Sequence, residues 1–390
     1  MALPCLRRKF NLKPTVQLQS HRKGKLPTQR RVLGDLLVEV LLQRFNPEEE
    51  HLQREKVENE HTDCVIEIEK KLREVLRQRQ DGHSIFEVPN SLQNHEPDAF
   101  IPHVVSVGPY HRNEDHLQGM ETHKWRLLQH VLERTNCPLK LFTDLMFNLE
   151  VDTRNCYDKP FKNFNHREFV EMMLLDACFI LEWLNVAANG IEHCGYELDD
   201  PLFTKWGISP FIQRDLLMLE NQIPLFVLNE LFRLTKSQTM NDDSVDELAL
   251  NFFDSVLPAI SKNLPDSSLN EQPRLHLLDV VRHALRPSQP NCQVKEPFRT
   301  AMHSVTRLRG TSVEFKKKDS TNFTDIEFNK GILYIPPLVI HDSTKSIFLN
   351  LMVFEQYYPQ CSNYVTSYVS FMDGLINSAK DVEYLYEKGL

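Results

Sequence analysis

Glycine is scarce in this chain, with 12 among 390 residues against 22 prolines. So few glycines exclude a fold of repeated tight hairpins and leave little material for Gly-rich phosphate loops. The eight cysteines, at positions 5, 64, 137, 156, 178, 194, 292 and 361, include no C-x-x-C pair. Structural zinc sites and dithiol redox motifs need close ligand pairs, so no metal and no cofactor are expected, and the thiols read as reduced. No stretch reaches about 18 apolar residues, so no transmembrane helix is expected within the chain. A secretory signal is missing too, because Met1–Leu6 runs at once into Arg7 and Arg8. The nucleophile elbow G-x-S-x-G, the P-loop, G-x-G-x-x-G and H-E-x-x-H are all absent.

What is present is an ordinary globular balance, 41% hydrophobic and 25% charged. Charge is unevenly spread. Residues 1–34 hold nine Lys and Arg and no acid, which leaves 36 basic against 54 acidic residues and a net charge of −18 for the remainder. A body that acidic argues against nucleic acid as a partner, since phosphate contacts need a basic face. The basic leader reads as a solvated tail. A transit peptide is the alternative, weakened by its shortage of serine, and attraction to anionic lipid is a further one.

Residues 1–60 are expected to be a largely disordered leader with one short helix at 32–45, and 61–390 a single domain. Apolar spacing predicts an amphipathic helix over 61–80, with Val65, Ile68 and Leu72 on one side and charges of alternating sign on the other. Residues 85–107 are expected to be extended, because Pro89, Pro97 and Pro102 interrupt any helix. Helical periodicity then predicts helices over 117–132, 139–156, 166–187, 212–234, 246–257, 276–285 and 300–309. Val313–Lys316 and Ile326–Phe328 alternate, and Asn329-Lys330-Gly331 turns the chain into Ile332–Ile335, a hairpin signal. Helices over 344–357 and 362–377 complete the chain. The fold class is therefore mainly α (α+β), a helical core at about 117–285 with a small antiparallel hairpin or sheet near 312–340. Polar loops at 235–245, 258–273 and 286–299 are where surface specificity would reside.

No residue stands out as a confident catalyst. Asp176 lies in an apolar run, and Asp215 and Glu220 flank another. A carboxylate there is either a general acid or base or a structural partner for Lys124, Arg214 or a helix N-terminus. Seven of the 16 histidines fall within residues 83–130, and His116, His123 and His130 recur every seven positions. Metal sites on one helix prefer spacings of three or four, so exposed or hydrogen-bonded histidines are the simpler reading. The weak catalytic candidates are His111, Glu121 and Asp176. Asn221-Gln222 before Pro224 would supply side-chain donors where proline removes a backbone one. Cys178 reads as a small buried apolar residue.

Four ordered segments carry a resemblance. They are Val88-Pro89 through Gly108-Pro109-Tyr110-His111; Phe169–Phe179; Arg214–Pro224; and Ser362–Tyr368. Together they are similar to the plant family called "domain of unknown function 247", over roughly residues 64–390. The resemblance implies an uncharacterised biochemistry and a C-terminal apolar membrane anchor. Here Lys388-Gly389-Leu390 reads as a helix C-cap, so the anchor is absent from this chain, which is then cytoplasmic or a truncated member. The resemblance also implies that some grass relatives act as pollen-side determinants of self-incompatibility. The expected function is a non-catalytic recognition or signalling protein working through an unknown protein partner; the alternative is an enzyme built on His111, Glu121 and Asp176.

Overall fold

The structure is a computed structural model that describes residues 56, 61–72, 82–203, 207–235, 243–257, 260, 273–287 and 302–390. The chain divides into two compact units, Met1–Gln80 and Asp81–Leu390. The expectations for the basic leader, for the helix at 32–45 and for most of the polar loops fall outside the described residues. In the first unit residues 61–72 are helical, with Val65, Ile66, Ile68 and Leu72 exposed and Lys71 paired to Glu67 one turn earlier.

The second unit is mainly helical with one small sheet, as its sequence pattern implies. Its centre is α5 (His166–Asn189). Asn165 starts it with a capping box: its side chain accepts from the Arg167 and Glu168 amides while Glu168 reaches back to the Asn165 amide. Gly190 ends it at φ 85°, a conformation open to glycine. Between those signals the helix is apolar all round and nearly every residue from Phe169 to Asn185 is buried. Such a helix must be jacketed. The jacket is α3 (Gln118–Thr135), α4 (Leu139–Asn155), α7 (Leu225–Thr235) and α8 (Val245–Phe253). The helix α9 (Leu277–Ala284) adds to α8, and α11 (Thr344–Tyr357) packs on α9 and on α12 (Tyr364–Leu375).

Three expectations need correction, the third of them in the sheet. Residues 212–234 do not form one helix: α6 (Ile208–Asp215) stops, irregular chain follows, and α7 begins after Pro224. Proline cannot donate into a helix, and the carbonyls released in the break are taken up by side chains. Asn221 Nδ2 donates to Asp215 O at 3.0 Å, and Gln222 Nε2 donates to Leu216 O and Met218 O at 2.7 and 2.8 Å. The segment 85–107 is irregular rather than uniformly extended, with short helices α1 (Asn90–His95) and α2 (Pro97–Phe100). Pro97 opens α2 at the position where a missing N–H costs nothing.

The sheet has three strands in the order β1-β3-β2. The expected hairpin is there: β2 (Glu327–Asn329) pairs antiparallel with β3 (Ile332–Ile335), and both turn residues have positive φ, Lys330 at 47° and Gly331 at 81°. The difference from an antiparallel sheet is β1 (Glu314–Lys317), which pairs parallel to β3. Phe315, Leu333 and Ile335 face a second apolar cluster with Val305, Leu375 and Leu385, contributed by α10 (Val305–Gly310), α12 and α13 (Ala379–Glu387).

Candidate functional site

The segment 84–111 crosses the core as a strap: beyond the turns of α1 and α2, backbone meets backbone at its start, where the Ser84 and Ile85 amides donate to Cys156 O, the Asp158 amide donates to Ile85 O, and an isolated bridge joins Ile85 to Tyr157. Val88, Val105 and Val107 are buried, so their backbone groups are cut off from water and need partners. Side chains supply them. Asp215 accepts from three successive amides: His103 at 3.0 Å, Val104 at 2.7 Å and Val105 at 3.1 Å. Asn221 takes the Val107 amide at 2.6 Å and donates to Val105 O at 3.0 Å. Glu220 accepts from the Val88 amide at 2.6 Å and from Gln93 Nε2. Asp176 accepts from the Gly108 amide at 2.9 Å. Gly108 sits at φ 74°, and a Cβ there would come 2.7 Å from Gln222 O, so only glycine fits.

At the centre is Lys124, whose side chain is 0% exposed. It stands on the apolar stripe Met120, Leu127, Leu128, Val131 of α3. Its three protons find three acceptors: Asp176 Oδ1 at 2.6 Å, Glu121 Oε1 at 2.7 Å and Ser106 O at 2.5 Å. Arg112 closes the group, 2.7 Å from Glu121 Oε2 and 3.7 Å from Asp176 Oδ1. Burial pushes the Asp176 carboxyl above its ordinary value, against the pull of Lys124 and Arg112.

Of the three sequence candidates, Glu121 and Asp176 therefore meet, through Lys124 and Arg112. His111 is held by other carboxylates. Its Nδ1 is 2.7 Å from Glu114 Oε1, and its Nε2 lies 3.1 Å from Glu220 Oε2, off the line of a hydrogen bond. Burial alone would lower the His111 imidazole; Glu220 and Glu114 outweigh it and hold its pKa above the usual value. Asp215 pairs with Arg214 at 2.8 Å as well as with the strap.

His276 is a participant that the sequence did not single out. It is fully buried at the start of α9. Nε2 lies 3.0 Å from Ser84 O and Nδ1 accepts from the Asp279 amide at 3.2 Å. A carbonyl only accepts and an amide only donates, so the ring is the neutral tautomer with its proton on Nε2. Burial lowers its pKa from 6.5 to about 4. Lys124 did carry a signal, a cation inside an apolar helical stripe; for His276 no local pattern exists, because its partner is 192 residues away.

Neither of two surface clefts contains His111, Glu121 or Asp176. One lies between α3 and the loop at 195–200, where His130 stacks on Tyr196 with ring centroids 3.9 Å apart. The other, of about 410 Å³, opens between α6 and the start of α11. Among the described residues no group of His, Cys, Asp and Glu has the arrangement to hold a metal ion.

Comparison with known proteins gives one family. The family DUF247, described as plant protein of unknown function, matches residues 85–390. UPF0481 protein At3g47200 of Arabidopsis thaliana is 32% identical over 331 residues, covering 77% of this chain and 67% of the relative. Putative UPF0481 protein At3g02645 of the same plant is 23% identical over 433 aligned positions, covering 85% of this chain and 79% of the relative. No solved structure matches.

Proposed function

We propose that this chain, which belongs to the DUF247 family of plant proteins of unknown function, acts as a non-catalytic recognition protein through protein–protein contacts. One observation carries the reading: the buried charges end on one another and on the backbone of the strap. Lys124 spends its three protons on Asp176, Glu121 and Ser106 O, and Glu220 and Asp215 are occupied by strap amides. A general acid or base needs a face open to substrate, and neither cleft provides one at these groups. Such a network makes a rigid body, and a rigid body presents a defined surface.

Membrane association and a part in self-recognition are extensions of this reading that rest on the resemblance alone. Among the described residues no helix is long and apolar enough to cross a membrane. The experiment is purification of the tagged chain from detergent-solubilised plant tissue with quantitative mass spectrometry. A near-stoichiometric protein that reproducibly accompanies the chain is expected. A partner-free preparation with a turnover that a folded Asp176→Asn variant abolishes would replace this reading with the enzymatic one.

A further inference from the structure

His111 ends the strap with its side chain only 7% exposed and set between two carboxylates. On one side Nδ1 meets Glu114 Oε1 at 2.7 Å, a hydrogen bond to a partly exposed group. On the other, Nε2 faces Glu220 Oε2 at 3.1 Å without hydrogen-bond alignment. A contact of that second kind depends on charge: it attracts while the ring is an imidazolium and loses its basis once the ring is neutral. A neutral ring also has one N–H for two carboxylates, so one of the two contacts fails whichever tautomer forms.

The two carboxylates belong to different parts of the fold. Glu114 closes a turn in which Asn113 has φ 76° and the Glu114 amide reaches His111 O at 3.3 Å. Asparagine tolerates that conformation, but the backbone bond is long, so the ring and Glu114 are the main fastener of the turn. Glu220 is buried in the irregular chain between α6 and α7, where the Val88 amide and Gln93 Nε2 also donate to it. Those donors are neutral, and the cation paired with Glu220 is His111. The ring therefore ties the end of the strap, through Glu220, to its beginning.

The neighbouring charges are engaged elsewhere. On the strap side, Arg112 is turned to Glu121 and Asp176, and the Tyr110 hydroxyl donates to Asp158. In the turn 115–117, Asp115 is exposed to water, and His116 stands 3.7 Å from Glu114 Oε2 with its other nitrogen on Pro102 O. Helix α1 contributes the neutral Gln93, and at the end of α6 Asp215 is paired with Arg214.

We propose that His111 is a pH-operated latch: as an imidazolium it locks the 111–114 turn to Glu220 and so joins the two ends of the strap, and loss of its proton on the alkaline side releases that turn. Burial opposes the charged ring, and Glu220 and Glu114 more than compensate, so the folded protein holds the proton above the ordinary 6.5. The latch contributes fully below about pH 6.5, and its contribution is lost as pH rises through the folded value. His276, at the start of the strap, acts in the opposite direction, so both ends are fastened together only in a window around neutral pH. Val104, Val105, Val107 and Gly108 keep Asp215, Asn221 and Asp176 as partners, so release stops at the turn.

The test follows the full chain by NMR from pH 5.5 to 9, reading the ring nitrogens of His111. In the same samples, with correction for intrinsic rates, it reads exchange of the Glu114 and Leu117 amides, which are bonded within the turn. Both ring nitrogens should be protonated at pH 6, and the ring should titrate above 6.5. Protection of the two amides should fall by about tenfold between pH 6 and 8.5, while that of Gly108 and of α5 stays level. Glu114→Gln alters a partly exposed side chain and should fold, with a lower His111 midpoint and a weaker pH dependence at the turn. His111→Gln should show, at every pH, the weak turn protection that the parent reaches at pH 8.5; if it fails to fold, the parent titration and Glu114→Gln decide. A ring that titrates at or below 6.5, turn protection that falls no further than that of α5, or a midpoint indifferent to Glu114→Gln would overturn the proposal.

Discussion

The irregular runs of the strap on either side of α1 and α2, 84–89 and 101–111, and the sheet at 314–335 are both laid on a helical body, yet they are held by different means. In the sheet, backbone meets backbone: β3 has a ladder on each side, and Phe315, Leu333 and Ile335 anchor it through an apolar cluster. In the strap, backbone meets side chain. Asp215, Glu220, Asp176, Asn221, Lys124 and His276 take up its amides and carbonyls one by one. A carboxylate serves several amides at once, as Asp215 does, but it brings a charge into a dry interior. The difference is in tolerance. A ladder loses one weak bond at a time, whereas a clamp that loses one partner leaves a buried charge exposed to nothing.

The largest expected effect follows directly. Lys124→Met should destabilise the protein by about 3–5 kcal/mol in urea denaturation, because Asp176 and Ser106 O keep their burial and lose their cation. A loss below about 1 kcal/mol would erase the contrast with the sheet. Next comes pH. His276 is neutral in the fold, so below its ordinary 6.5 the unfolded chain takes up a proton that the folded chain refuses until about 4. Its contribution is full above about pH 6.5 and is lost as pH falls toward 4, amounting to about 3 kcal/mol. Asp279 stays ionised across that window, since His283 and Arg282 override its burial and hold it far below the usual carboxylate range. Urea midpoints at pH 7 and 4.5 should fall less in His276→Gln than in the parent; identical falls would remove His276 from the account.

On the sheet side, Leu333→Ala should cost about 2–3 kcal/mol by opening a cavity in the second cluster. Hydrogen exchange should then rise around β1, β3 and α13 while the strap amides stay protected. If both regions loosen together, they are one cooperative unit and the comparison fails. The smallest effect is at the hairpin. Lys330 holds φ 47°, which asparagine tolerates better than lysine, so Lys330→Asn should stabilise by about 0.5 kcal/mol. Thermal unfolding at matched concentration would read it, and a destabilised variant would contradict the turn assignment.

How much of this was legible follows from the range of the forces involved. Helices α3, α4, α5 and α11 were readable because apolar period is local, and the expected 344–357 coincides with α11; the Asn165–Glu168 capping box that starts α5 was a further local signal not used. The hairpin was readable from Asn329-Lys330-Gly331. The parallel addition of β1 was not, because nothing near 314 states which edge of β3 it will join. The break at 216–224 was hidden for a related reason. Leu216–Leu219 looks like helix interior, and what prevents a helix there is the use of Asp215, Glu220 and Asn221 by a strap more than 100 residues earlier. The sequence offered Lys124, Arg214 or a helix N-terminus as partners for these carboxylates and left the pairing open; the fold joins Asp176 to Lys124 and Asp215 to Arg214. The distances that bring them together belong to the tertiary fold alone.

The most direct measurement is native-state hydrogen exchange on the amides of Val104, Val105, Val107 and Gly108. These residues have no helix or ladder partner, so a strap held weakly would exchange them like a surface loop. If the buried side chains clamp it as described, all four should exchange only by global unfolding, with protection equal to that of α5. Fast exchange at these four amides in a protein whose α5 amides are protected would contradict the central claim.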